Sequence, residues 1–147
     1  MIVDSREPAK VRAELVNLGW QELTMPAGDY GFYCPKGKGL IIRKTGSDFV
    51  GSLLKKQQGR GGRQISHLRH EVHGVLADKE CAIRVLLVEN MPIPTWDNLI
   101  LIDNRIVRIP FTFISTALVD FVRAGFDPWI MGGDTVANIY KIKEYYD

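Results

Sequence analysis

Hydrophobic positions along the chain fall into a few distinct rhythms. AIRVLLVEN, residues 82–90, is apolar at nearly every position, the pattern of a strand covered on both faces in the middle of an α/β sheet. Residues 1–3 are a shorter apolar strand. In SREPAKVRAELVNLG, Val11, Leu15 and Leu18 line one helical face, Pro8 suits a first turn and Gly19 suits the stop. Residues 20–25, 30–34 and 40–44 read as strands, with PKGKG as a turn, so a meander is expected there. Ser47 is placed to cap a helix through Phe49, Val50, Leu53 and Leu54, which resumes beyond Gly59, Gly61 and Gly62 around Ile65, Leu68, Val72 and Leu76. LILIDNRIVRIP predicts a hairpin about Asp103 and Asn104, FTFISTALVDFVRAG a helix ending at Gly125, PWIMG a strand and DTVANIYKIKEYY a closing helix. The sum is a mixed α/β sheet with helices on both faces.

The 147 residues and 46% hydrophobic content fit one domain over 1–147 with a single core. A net charge of +2 is too small to argue for a polyanionic partner, so the distribution of charge matters more than its sum. Cys34 and Cys81, with no CxxC and no secretory pattern, predict reduced thiols and a cytoplasmic compartment, or a nuclear one in a eukaryote. No apolar run approaches the roughly 18 residues a membrane helix needs, so no membrane association is expected.

Acidic residues fall at the ends of predicted strands: Asp4 and Glu7 after the first, Asp29 before the second, Asp48 just past Lys44. Carboxylates beside a lysine are what Mg²⁺-assisted phosphodiester hydrolysis requires, because hard oxygen ligands hold the ion while an ammonium orients water or neutralises charge. Taken singly, each acid reads first as a solvated turn residue or helix cap and only second as a metal ligand.

Together they are more specific. VDSRE (3–7), GDY (28–30), IRKTGSD (42–48), LLVEN (86–90) and DTVANIYKI (134–142) resemble, in this order, the ERCC4-type nuclease domain of the XPF/MUS81/Hef family, with its early D-x-R-E, a GDY and an E-R-K-x-x-x-D. The resemblance implies a restriction-endonuclease-like fold, a divalent metal (Mg²⁺, with Mn²⁺ able to substitute), and cutting of branched DNA such as flaps, forks and junctions. It assigns Asp4, Glu7 and Asp29 to the metal, Arg6 and Arg43 to supporting or phosphate-facing roles, Lys44 to the catalytic lysine, and Asp48 to the motif's final carboxylate. For Glu89, which reads by itself as a strand-end acid or an extra ligand, the resemblance implies a place behind the metal ligands. It also implies pairing through this domain, as a homodimer or heterodimer, for which Ile139, Tyr140 and Ile142 of the closing helix offer a surface. A chain of this length has no room for the helix-hairpin-helix pair that often follows, so a stand-alone nuclease domain is expected.

The glutamate of E-R-K is Ile42 here, and its side chain has no donor atom for a metal. Two readings stay open: a site completed by Glu7 and Asp29 with waters, or a silent module that binds branched DNA or a partner nuclease. Lys55, Lys56, Arg60, Arg63 and Arg69 form a basic stretch uninterrupted by acid until Glu71, able to contact backbone phosphates or to form a solvated face. His67, His70 and His73 recur every third position, so two at a time could share a metal or contact phosphate.

Overall fold

The structure, a computed structural model, describes residues 1–57, 63–102 and 104–147, with side chains described for all of these but 55–57 and 63–67. In chain order the elements are β1 (Ile2–Asp4), α1 (Ala9–Asn17), β2 (Gln21–Leu23), β3 (Tyr30–Cys34), β4 (Gly37–Thr45), α2 (Gly46–Gln57), α3 (Arg63–Ala77), β5 (Cys81–Glu89), β6 (Leu99–Ile102), β7 (Arg105–Arg108), α4 (Phe111–Arg123), β8 (Asp127–Met131) and α5 (Thr135–Tyr146). Six strands make one sheet in the order β2-β1-β3-β4-β5-β8, and β6 pairs with β7 in a separate hairpin. The mixed α/β sheet flanked by helices is the architecture the sequence predicts.

The N-terminal strands are not a meander. β2 returns beside β1 in parallel, and β3 comes back antiparallel on the other side of β1. β4 is antiparallel to β3 and parallel to β5, which is parallel to β8. The apolar run of β5 thus sits between two parallel partners, with Val85 to Glu89 all buried.

Alternation along the strands sorts the core into two layers. Ile41, Val85 and Leu87 pack with Tyr30, Leu15 of α1, and Val136, Ile139 and Ile142 of α5. Leu40, Ile42, Leu86 and Val88 pack on the opposite face with Phe49 and Val50 of α2, Leu68 and Val75 of α3, Ile114 of α4, and Ile100 and Ile102 of the hairpin. Each such aliphatic side chain contributes about 1.5–3 kcal/mol by leaving water.

Local details depart from the expected ones for identifiable reasons. Pro8 is the cap residue before α1, with φ −53° and ψ 134°, rather than part of its first turn. α2 starts at Gly46, and the Thr45 hydroxyl, not Ser47, accepts from the Asp48 N–H at 3.1 Å. Both cysteines are free thiols. The closing helix offers less surface than its sequence implies: Ile139 and Ile142 are wholly buried in this chain's own core, and the Tyr140 hydroxyl accepts from the Trp20 indole N–H at 3.0 Å. Asp103 of the expected hairpin turn lies outside the described residues, while Asn104 has a positive φ of 60°. Among the described residues no helix is long and apolar enough to cross a membrane.

Candidate active site

The site is assembled where β1 ends, β3 begins and β4 ends. Asp4, the last residue of β1, is 1% exposed, and both of its oxygens carry donors. Oδ1 accepts from the backbone N–H and Nε of Arg6, and Oδ2 from Nη2 of Arg6 and the Met25 N–H, at 2.7–2.9 Å. Burial pushes this carboxyl up, but the Arg6 and Met25 donors outweigh it and hold the group below its ordinary range. Asp4 therefore fastens the exit of β1 to the segment before β3. Arg6, whose side chain is 63% exposed, also donates to the Met25 carbonyl at 2.9 Å.

Glu7 follows in the next turn and is held in place by Tyr30, whose hydroxyl donates to its Oε2. The Arg43 guanidinium stands 3.8 Å from the same oxygen. Burial pushes the Glu7 carboxyl up, against the opposing pull of Tyr30 and Arg43. Burial first, then the Glu7 charge, also drives the Tyr30 phenol well above its usual range.

Gly28 turns the chain into β3 with φ +76°, a conformation that favours glycine and sets Asp29 at the strand's mouth. The Asp29 backbone N–H donates to the Ile41 carbonyl at 2.8 Å, its carbonyl accepts from Asp4 N–H at 2.9 Å, and its Oδ2 accepts from Arg43 N–H at 2.6 Å. Burial and then the neighbouring Glu7 charge push this carboxyl to about 7, with Glu71 adding to the push and Arg43 N–H and Lys44 opposing it.

Arg43 and Lys44 are adjacent on β4 and so leave it on opposite faces. Arg43 joins the α5 side. Its Nε donates to Glu89 Oε2 at 2.7 Å, and Glu89, 2% exposed at the end of β5, also accepts from Thr135 Oγ1 at 2.9 Å and Asn138 Nδ2 at 3.0 Å. Glu89 thus lies behind Glu7, holding the arginine between two carboxylates. Lys44 joins the α3 side, with its Nζ 2.9 Å from Glu71 Oε2.

Glu7, Asp29, Arg43 and Lys44 lie at one end of the sheet, with Asp4 and Glu89 as buried anchors on either side. Asp48 stands apart, exposed in the first turn of α2, where a carboxylate complements the helix N-terminus. Arg69, His70 and His73 are exposed on α3. Lys55, Lys56, Arg60, Arg63 and His67 lie outside the residues whose side chains are described. Glu71 was hidden by its neighbours: it reads as the acid ending a basic run, yet it falls three residues after buried Leu68 and four before buried Val75, the spacing of α3's inner face. Tyr30 and the α5 residues Thr135 and Asn138 were likewise visible only as strand and helix formers.

Among the described residues no three His, Cys, Asp or Glu side chains gather so as to hold a metal ion. The two carboxyls that would serve such an ion, Glu7 and Asp29, are both raised by burial, and the Glu7 charge raises Asp29 further. That pair fits Mg²⁺ in its usual manner of binding, through one or two carboxylates with waters and substrate phosphates as the other ligands, and not as an all-protein cage. Asp4, with four donors already on its carboxylate, is not available in the same way.

No family model and no curated protein matches the chain. Among solved structures, XPF from Aeropyrum pernix is similar with a TM-score of 0.60 at 20% identity, over 98% of this chain and 59% of that one. The chain shares its fold with XPF. XPF from the same organism in complex with DNA gives a TM-score of 0.60 at 22% identity, over 99% of this chain and 62% of that one. This chain therefore spans about three-fifths of the length of those XPF chains. At these identities the likeness to XPF is one of fold, and its central mixed sheet with flanking helices carries it.

Proposed function

We propose that this chain is a nuclease module of the XPF kind that engages branched DNA (flap, fork or junction) and hydrolyses a phosphodiester bond with a divalent cation. The observation that supports this most directly is the meeting of Glu7 and Asp29 with Arg43 and Lys44 at one end of the sheet, in a fold shared with a protein also solved in complex with DNA. Glu7 and Asp29 would hold Mg²⁺ or Mn²⁺, which supplies positive charge to the phosphate and makes water more acidic.

The chain's own groups do the positioning. Tyr30 fixes Glu7, and the Arg43 N–H fixes Asp29, so both carboxylates are oriented before substrate arrives. The Lys44 ammonium orients the attacking water or neutralises charge developing on the phosphate. Arg43 is steadied by Glu89, and the exposed Arg6 meets phosphate oxygens. The basic stretch Lys55, Lys56, Arg60, Arg63 and Arg69 supplies salt-dependent, sequence-independent grip on the backbone. Pairing with a second copy or a partner nuclease belongs to the same reading, and sedimentation of the purified protein tests it.

A second reading, a silent module that binds branched DNA without cutting it, is favoured by one observation: Ile42 is 0% exposed and packed in the core, so position 42 presents no carboxylate. Labelled flap and fork DNA incubated with Mg²⁺ or Mn²⁺ separates the two. Metal-dependent nicking that disappears in Asp29→Ala and Lys44→Ala supports the nuclease. Intact DNA with salt-sensitive binding supports the silent module and refutes the first reading.

A further inference from the structure

Ile42 and Lys44 are two residues apart on β4 and so share a face of the sheet. That face is the one covered by α2 and α3, since Ile42 packs with Phe49, Val50, Leu68 and Val75. A carboxylate at position 42 would stand beside Lys44 on this face. Ile42 supplies none, and the carboxylate beside the ammonium comes from α3 instead: Glu71 Oε2 lies 2.9 Å from Lys44 Nζ. Both side chains are mostly covered, 18% exposed for Lys44 and 14% for Glu71, so solvent and salt screen the pair less than a surface pair. The charge of Glu71 also reaches the site's other groups, raising Asp29 and Arg6 alike.

We infer that Glu71 of α3 is the positioning residue for the Lys44 ammonium, supplying from a helix the carboxylate that β4 does not place beside it. The inference rests on the nuclease reading for its consequence in turnover, but the contact itself stands independently of it. A lysine is a point charge on a flexible four-carbon stem, and it acts on a phosphate or a water only where its head is held. Glu71 holds it from a helix that also carries Arg69 on its outer side, so the ammonium is steadied by the same helix whose Arg69, His70 and His73 face solvent.

The test has one arm that needs no cleavage. Acetic anhydride acetylates free amines, and peptide mapping by mass spectrometry reports the rate at Lys44 against the exposed Lys141 as reference. In Glu71→Gln, the Lys44 rate is expected to rise about tenfold relative to Lys141, through loss of the ion pair that holds the ammonium. An unchanged ratio overturns the inference. A second arm follows turnover on branched DNA. Glu71→Gln is expected to lower kcat by roughly 10²-fold with KM within about twofold, and to cause no further loss in a Lys44→Met background. Losses that simply add show that Glu71 acts elsewhere, and overturn it too. If Gln at 71 fails to fold by circular dichroism, Glu71→Asp, one methylene shorter, is read on the same scale with a smaller rise. Wild-type protein that leaves all branched DNA intact refutes the nuclease reading alone, and the acetylation ratio still decides the role of Glu71.

Discussion

Replacing Asp29 by asparagine isolates the most perturbed carboxyl of the site. Burial and Glu7 push Asp29 from the ordinary 3.8 to about 7. That difference of about 3 units, at about 1.36 kcal/mol each, corresponds to about 4 kcal/mol. The sign follows from where the proton sits. Below about pH 4 the group is protonated in both folded and unfolded chains, and it costs nothing. Between about pH 4 and 7 the unfolded chain releases its proton while the folded chain keeps it, so stability falls as pH rises, by up to about 1.4 kcal/mol per unit. Above about 7 the full cost is present and constant. Asparagine carries no charge at any of these pH values and keeps a carbonyl oxygen for the Arg43 N–H. Asp29→Asn is therefore expected to match the wild type at pH 4 and to exceed it by up to about 4 kcal/mol at pH 8. Urea unfolding at half-unit steps across this range measures the gap. A gap that does not vary with pH, or a wild type more stable than the variant at pH 8, refutes the reasoning. Under the nuclease reading, Mg²⁺ at 100 times its Kd should return about 2.7 kcal/mol to the wild type at pH 8 and nothing to Asp29→Asn.

Other substitutions probe the supports of the site. Glu89→Ala leaves the half-buried Arg43 without its 2.7 Å partner and should cost about 3–5 kcal/mol, read as a fall in Tm. Gly46→Ala would place a methyl 2.4 Å from the Asn90 carbonyl and should destabilise the fold in chemical denaturation. Gly51→Ala, on the same helix with open space around it, should instead stabilise by about 0.5–1 kcal/mol. Arg69→Ala should reduce the slope of log affinity for DNA against log salt by about 1, in fluorescence anisotropy titrations; an unchanged slope removes this residue from the interface.

The parts of this structure that were legible in the sequence are those written in local pattern. The nearly unbroken apolar run of β5 declared a covered central strand, Gly125 punctuated the end of α4, and the GDY turn marked the entry to β3. What could not be read depended on contacts between distant segments. That β2 would pair in parallel with β1 is a matter of which edge remained open, not of either segment's composition. The Tyr30 to Glu7 bond spans 23 residues, and the Glu89 to Asn138 bond 49, so neither leaves a periodic trace. Glu71 was masked for a different reason: its charge sign was judged against the basic residues preceding it, when the apolar residues one turn either side were the better guide. The expected surface of the closing helix failed similarly, because Ile139 and Ile142 were needed to cover this chain's own sheet.

β4 is a nine-residue carrier with two tracks. One track delivers a guanidinium to Glu89 on the face that α5 covers, and the other an ammonium to α3. The two are kept apart only by the parity of their positions, so dropping a single residue from the Pro35 and Lys36 turn while the pairing upstream is kept would exchange their destinations. The strand is thereby closed to length variation, whereas a point substitution such as isoleucine at position 42 leaves every other delivery in its place.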